Sequence, residues 1–201
     1  MTLSAVLLAG GESRRMGTDK ATIVFQGRPL WERQLGILRE LRPAKIFVSA
    51  RVDPSWRPPE IELLLDEPPS RGPLSGLTRA LERMETTHLI ALAVDMPLIT
   101  SEQLGALFNL AGTGRGVVPA IGERTEPLAA IYPRESAPDF ATALAGRDFS
   151  LQGLVRNLAA ANKVQIISVL EQDEHLYSNV NEPDDFKEGR FPNRPKNVGG
   201  L

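Results

Sequence analysis

Gly10-Gly11, Arg14-Arg15 and Lys20 stand within eleven residues of one another, and their side-chain types share one kind of ligand. Paired glycines let the backbone approach a phosphate chain and expose its N–H groups. Arginine offers a planar fork of donors to phosphate oxygens, and lysine adds a mobile point charge. Together they point to a polyanion such as a nucleotide. Two carboxylates, Asp66 and Asp95, each close an apolar run, Ile61 to Leu65 and His88 to Val94. A carboxylate in that position is costly to bury unless it is paired or holds a cation. Magnesium takes oxygen ligands, commonly one or two carboxylates completed by phosphate oxygens and water, so Asp95 is a candidate metal ligand. The competing reading, an aspartate before proline that caps a turn, is the weaker one beside a phosphate loop.

The element that must position this loop is the apolar run Leu3 to Ala9, which breaks at the glycine pair. It reads as a buried strand whose carboxyl end opens into a loop, the place where open α/β sheets bind ligands. Two familiar phosphate motifs fail here. Five residues separate Gly11 from Gly17 and Thr18 follows, so the P-loop pattern is absent. The adjacent glycines, with none at position 12 or 15, exclude the dinucleotide fingerprint. A surface loop with scattered charge remains as the bland alternative.

Composition narrows the classes. The chain has 201 residues, a formal charge of −2 and no cysteine. That length suits one well-buried α/β domain. The charge gives no global basic field for nucleic acid, and the lack of cysteine excludes disulfides, thiolate metal sites and thiol catalysis. The first apolar run, only about seven residues, is neither a secretory signal nor a membrane span, so a cytoplasmic enzyme is expected.

In chain order, Ala21 to Phe25 reads as a short strand, Gln26 to Arg28 as a turn, and the next segment as a helix from about Pro29. Its apolar face is Leu30, Trp31, Leu35, Leu38 and Leu41. A strand follows over Lys45 to Ala50, then an extended surface linker from Pro54 to Pro59, in which Trp56 is a packing residue. After the strand ending at Asp66, the turn Arg71 to Gly76 opens a helix through Arg83. That turn reads equally as a second wall of the ligand site, since helix N-termini attract anions, or as a tight turn only.

Beyond Asp95, Thr100 and Gln103 have capping-box spacing and start a helix to about Leu110. The sheet continues with Gly116 to Ile121 and Leu128 to Tyr132, a pair read as a hairpin-like excursion. The charged tip between them, with Arg124 and Glu126, faces a second substrate or is simply solvated. Helices are expected over Pro138 to Ala145 and from the cap Ser150 to Ala161, and a last strand over Val164 to Val169. His175 is read as a surface residue. The sequence from Gly189 onward lacks an apolar period and is expected to be a disordered tail, leaving 1–188 as a single domain. Strand and helix alternation predicts a three-layer α/β/α sandwich with a mainly parallel sheet.

The order L-A-G-G-x-S-x-R-M-G-x-D-K over positions 8–20 resembles the signature loop of the molybdenum cofactor guanylyltransferases. These lie within the wider nucleotidyltransferase class that includes the sugar-nucleotide pyrophosphorylases. G-P-L-x-G at 72–76, D-M-P at 95–97, P-L-x-A-x-Y at 127–132 and N-V-N-x-P at 179–183 resemble the family's patterns in the same order. The resemblance implies a Rossmann-like sheet of the nucleotide-diphospho-sugar transferase type. It also implies transfer of GMP from GTP to the phosphate of molybdopterin, releasing pyrophosphate, with Mg2+ as cofactor.

Carried over by position, Leu8, Ala9, Gly10, Gly11, Lys20, Asp66 and Asp95 would bind GTP, and Arg14 would act with Lys20 and Asp95 in catalysis. Asp95 would hold magnesium. Asn181 would take a second metal or the phosphate region, or cap a short helix at 184–188. Ser49 is assigned to the nucleotide, but some members carry asparagine there, which leaves base selection open. Lys20 and Asp95 are expected to act on one developing charge from opposite sides. Expected partners are GTP and molybdopterin, with molybdoenzymes or their chaperones, no nucleic acid and no membrane, in a monomer or weak oligomer. Two alternatives stay open: the same chemistry with CTP or a sugar phosphate, and a nucleotide-binding accessory protein without catalysis. Lys20 and Asp95 argue against the latter.

Overall fold

The structure is a computed structural model and describes residues 1–10, 19–66 and 69–180. In chain order its strands and α-helices are β1 (Leu3–Leu8), β2 (Val24–Phe25), β3 (Arg28–Pro29), α1 (Leu30–Glu40), β4 (Lys45–Ala50), β5 (Glu62–Leu65), α2 (Pro73–Arg83) and β6 (His88–Ala93). They continue with α3 (Ser101–Leu110), β7 (Gly116–Ile121), β8 (Arg124–Thr125), β9 (Ala129–Pro133), α4 (Ala137–Ala145), α5 (Leu151–Ala160) and β10 (Val164–Ser168). Short 3-10 turns cover Lys20–Thr22, Arg134–Ser136 and Glu171–Tyr177.

The main sheet has the order β10-β7-β9-β6-β1-β4-β5, with β8 hairpinned onto β7. Strand β1 pairs in parallel with both β4 and β6, and each antiparallel pair in this sheet involves β8 or β9. Every residue of β1 and of β6 is buried, as expected when both faces of a parallel sheet are covered. Alternate residues of β1 divide between two cores. Leu3, Ala5 and Leu7 join Leu35 and Leu38 of α1 and Leu104 of α3, whereas Val6 and Leu8 join Leu77 of α2, Phe140 of α4 and Leu158 of α5. The result is the expected three-layer sandwich. No helix among the described residues is long and apolar enough to cross a membrane.

Some expectations need correction. Ala21 to Phe25 is not one strand: a 3-10 turn precedes a two-residue strand that pairs with β3. The reason is local, since the Asp19 carboxylate accepts from the Ala21 N–H at 3.0 Å and bends the chain before it can extend. The segment from Pro54 to Pro59 is not an extended linker. Arg57 gathers it into turns, making two 2.8 Å contacts with Asp53 and donating to the carbonyls of Pro58 and Ile61. Strands β7 and β9 continue the sheet as an antiparallel pair, with β9 between β6 and β7, and the tight hairpin at their tip joins β7 to β8. His175 lies half-buried in the last 3-10 turn.

Candidate active site

The carboxyl ends of β1, β4, β5 and β6 converge on one cleft, which encloses about 630 Å³ including its open mouth, within the range usual for small-molecule sites. Leu8, Ala9 and Gly10 form its floor, Ser49 and Asp66 one wall, Gly72 and Pro73 a second, and Lys20 and Asp95 face them. Seven of the positions assigned from sequence thus fall in one place: Leu8, Ala9, Gly10, Lys20, Ser49, Asp66 and Asp95. Gly11, Arg14 and Asn181 lie outside the described residues, as do Arg15 and the tail from 189.

The backbone ties these ends together. Ala9 N–H donates to Ser49 O at 2.9 Å, Asp66 N–H to Ala50 O at 3.0 Å and Val94 N–H to Leu8 O at 3.1 Å. Ser49 and Asp66 belong to one hydrogen-bonded group. The Asp66 carboxylate accepts from Ser49 Oγ at 3.2 Å and from Ser70 Oγ at 3.1 Å. Ser70 is a participant the sequence did not single out; its only signal was its place between Asp66 and the G-P-L turn. Gly72 sits at φ +64°, as a tight turn requires, and also lines the cleft. Gly76 serves a close approach: a methyl group there would lie 2.2 Å from Ser49 Oγ.

Lys20 Nζ stands 3.5 Å from Asp95 Oδ2, with both side chains about four-fifths buried at 21% and 23% exposure. They are therefore a contact pair on one side of the cleft, which corrects the expectation that they act from opposite sides. Lys20 Nζ also donates to Val180 O at 3.5 Å, and Val180 N–H to Asp95 O at 2.8 Å. Burial raises the carboxyl of Asp95 above its ordinary range, and Lys20 offsets only part of that. Such a group gains from any further cation brought beside it.

The donor chemistry fits magnesium: a hard carboxylate with a lysine contact, lining a cleft large enough to admit phosphate oxygens. No cluster of three or more metal-ligating side chains occurs among the described residues, so of these residues Asp95 is the side chain that would hold the metal, with phosphate and water as further oxygen ligands. Val180, pinned to this pair, is the covalent neighbour of Asn181.

The hairpin tip is more than a solvated one. Glu126, only 12% exposed, lies 3.7 Å from Arg124, and burial raises its carboxyl. Leu128 beside it reaches the cleft. The phenol of the buried Tyr177 is pushed up to about 12 by burial and by the charges of Asp173 and Glu126.

On a mostly parallel sheet the ends of β1 and β6 bring Gly10, Lys20 and Asp95 to one cleft, and the architecture is the nucleotide-diphospho-sugar transferase fold of the solved nucleotidyltransferases on which it superposes. A family profile described as the MobA-like NTP transferase domain matches residues 5–169. The chain belongs to that family.

A probable molybdenum cofactor guanylyltransferase of Opitutus terrae is 33% identical over 91% of this chain and 92% of its own. The molybdenum cofactor guanylyltransferase of Cereibacter sphaeroides is 33% identical over 92% and 94%. Among solved structures, a molybdopterin-guanine dinucleotide biosynthesis protein A from Archaeoglobus fulgidus superposes with a TM-score of 0.72 at 24% identity, covering 92% of this chain and 95% of that one. A nucleotidyl transferase from Methanothermobacter superposes at 0.74 with 15% identity over 92% and 94%. These two likenesses are of fold.

Proposed function

We propose that the protein transfers GMP from GTP to the phosphate of molybdopterin, releasing pyrophosphate, with Mg2+ as the cation. The observation that carries this reading is the Lys20–Asp95 pair set at the cleft where β1 and β6 end, in a chain whose curated relatives are molybdenum cofactor guanylyltransferases. An oxygen of the acceptor phosphate attacks the α-phosphorus, the bond from that phosphorus to the bridging oxygen breaks, and pyrophosphate leaves with the electron pair. No general base is needed, because the attacking oxygen is already ionised at neutral pH. The chain's task is alignment and charge neutralisation.

The floor at Ala9 and Gly10 brings backbone close to the nucleotide, and the Ser49–Asp66–Ser70 group offers a fixed carboxylate to it. Lys20 supplies a cation to the phosphates. When bound, magnesium supplies Lewis-acid neutralisation of the phosphate charge, held by Asp95, with Asn181 as a further oxygen donor. Arg14 is assigned to the phosphates on the same reading. Glu126 and Leu128 border the side where the acceptor enters. Residues 1–188 act as a single domain, and a cytoplasmic location belongs to the same reading.

A thermal-shift panel of GTP, CTP, ATP and UTP with magnesium tests it. A ligand at ~100 times its dissociation constant adds about 2.7 kcal/mol, or about 5–10 °C for a chain of this size. GTP should give the shift; a shift with CTP alone replaces guanylyl by cytidylyl transfer.

A further inference from the structure

We infer that Trp56 is a positioning residue for Lys20, acting through the carboxylate of Asp19. The inference deepens the nucleotidyl-transfer reading and rests on it for its kinetic part.

Lys20 opens a three-residue 3-10 turn, too short to hold its own orientation by internal hydrogen bonds. Its direction is set by what holds the turn's start. Asp19 does so with both carboxylate oxygens: Oδ1 accepts from Ala21 N–H at 3.0 Å, and Oδ2 accepts from the indole N–H of Trp56 at 2.8 Å. The first bond caps the turn locally. The second fastens it to a segment more than thirty residues later in the chain.

That segment is itself anchored. The Trp56 ring stacks on Trp31 of α1, with centroids 5.5 Å apart and planes 14° from parallel. Arg57 next to it is fixed by Asp53 and by the carbonyl of Ile61. Helix α1 also holds the other half of the charge pair. Arg33 Nε donates to Pro97 O at 2.6 Å, and Gln34 Nε2 to Met96 O at 2.5 Å, the two residues that follow Asp95. One helix therefore braces Asp95 through the two residues that follow it, and Lys20 by way of Trp56 and Asp19. Trp56 and Asp19 line a neighbouring hollow that shares Ala9 and Gly10 with the cleft, so this brace lies against the nucleotide floor and does not enter it.

The inference separates the indole's two contributions. Stacking holds the 53–61 segment, and the N–H aims the lysine. Trp56→Phe keeps a stackable ring and deletes the N–H. Asp19→Asn breaks the same bond from the other side, with an amide oxygen left to cap Ala21. Each is compared with the parent protein and repeated in a Lys20→Ala background. Two quantities are read: kcat/KM for pyrophosphate release from GTP with magnesium and molybdopterin, and calorimetric affinity for inorganic tripolyphosphate, which needs no catalysis.

With Lys20 present, both variants should lose roughly three- to tenfold in each quantity, the scale of one hydrogen bond to a charged group at a partly exposed site. In the Lys20→Ala background neither should lose anything further, since the group being aimed is gone. An equal loss with and without Lys20, or none at all, overturns the inference. Should Trp56→Phe fail to melt cooperatively, Asp19→Asn decides alone. Coupling seen in tripolyphosphate binding without any pyrophosphate from GTP supports the positioning role and contradicts the functional reading. Pyrophosphate release without coupling contradicts only the positioning role.

Discussion

A carboxylate taken out of water and given one lysine contact at 3.5 Å is under-compensated, and that is the condition of Asp95. Its raised folded-state value fixes a sign. Between the ordinary and the raised value the folded chain binds more protons than the unfolded one, so this group's contribution to stability falls as pH rises through that window. At neutral pH the ionised carboxylate costs stability. Asp95→Asn should therefore hold or raise the melting temperature without ligand while turnover collapses, and excess magnesium should recover part of the turnover. A protein unfolded by that change would show the aspartate to be a structural cap.

The same shift places the acid limb of kcat/KM for GTP. On the proposed function Asp95 must be ionised to hold the metal, so activity should be lost at a pH above the ordinary aspartate range as pH falls; a limb within that range would remove Asp95 from the profile. Lys20→Ala deletes a cation aimed at developing phosphate charge and should lower turnover ~10²–10³-fold, by analogy with single donors to a transition-state anion. Steady-state pyrophosphate release measures it.

Between elements, the sensitive contact is where α2 crosses β4. Gly76→Ala would drive a methyl group into Ser49 Oγ and to within 2.9 Å of a Leu8 methyl. Overpacking of this kind costs about 1–3 kcal/mol, read as a lowered melting temperature. Weaker GTP binding should accompany it, because Ser49 is pressed against Asp66. Unaltered binding in a destabilised Gly76→Ala protein would detach Ser49 from the nucleotide wall.

The long elements were legible in the sequence for a physical reason. β1, β4 and β6 are runs buried on both faces, and α3 and α5 carry their caps in the chain, Thr100 accepting from Gln103 N–H and Ser150 from Gly153 N–H. What escaped was set by distant partners. Nothing in the segment from Pro54 to Pro59 announces that Arg57 will fold it onto Asp53 and Ile61, or that Trp56 will reach Asp19. Likewise β9 reads as a strand of the sheet but carries no sign of its place between β6 and β7. Of the site, the apolar strand ends and their carboxylates could be read; the direct contact of Lys20 with Asp95 could not, since it depends on how a 3-10 turn is aimed.

At the scale of the whole molecule, both cores share the central strands, with β1 contributing alternate residues to each. Neither core can be lost alone, so calorimetry should show one cooperative transition, and GTP with magnesium should move all of it. Two transitions, only one of them moved by nucleotide, would divide the single domain proposed here.

The central claim is that the Lys20–Asp95 cleft transfers GMP to a molybdopterin phosphate, and its most direct measure is pyrophosphate release with each nucleoside triphosphate, with and without molybdopterin. The account predicts release that requires GTP, magnesium and molybdopterin together, one guanine dinucleotide formed per pyrophosphate, and loss of both products in Asp95→Asn. Release that follows CTP instead of GTP, or dinucleotide formed at the parent rate by Asp95→Asn, would contradict it.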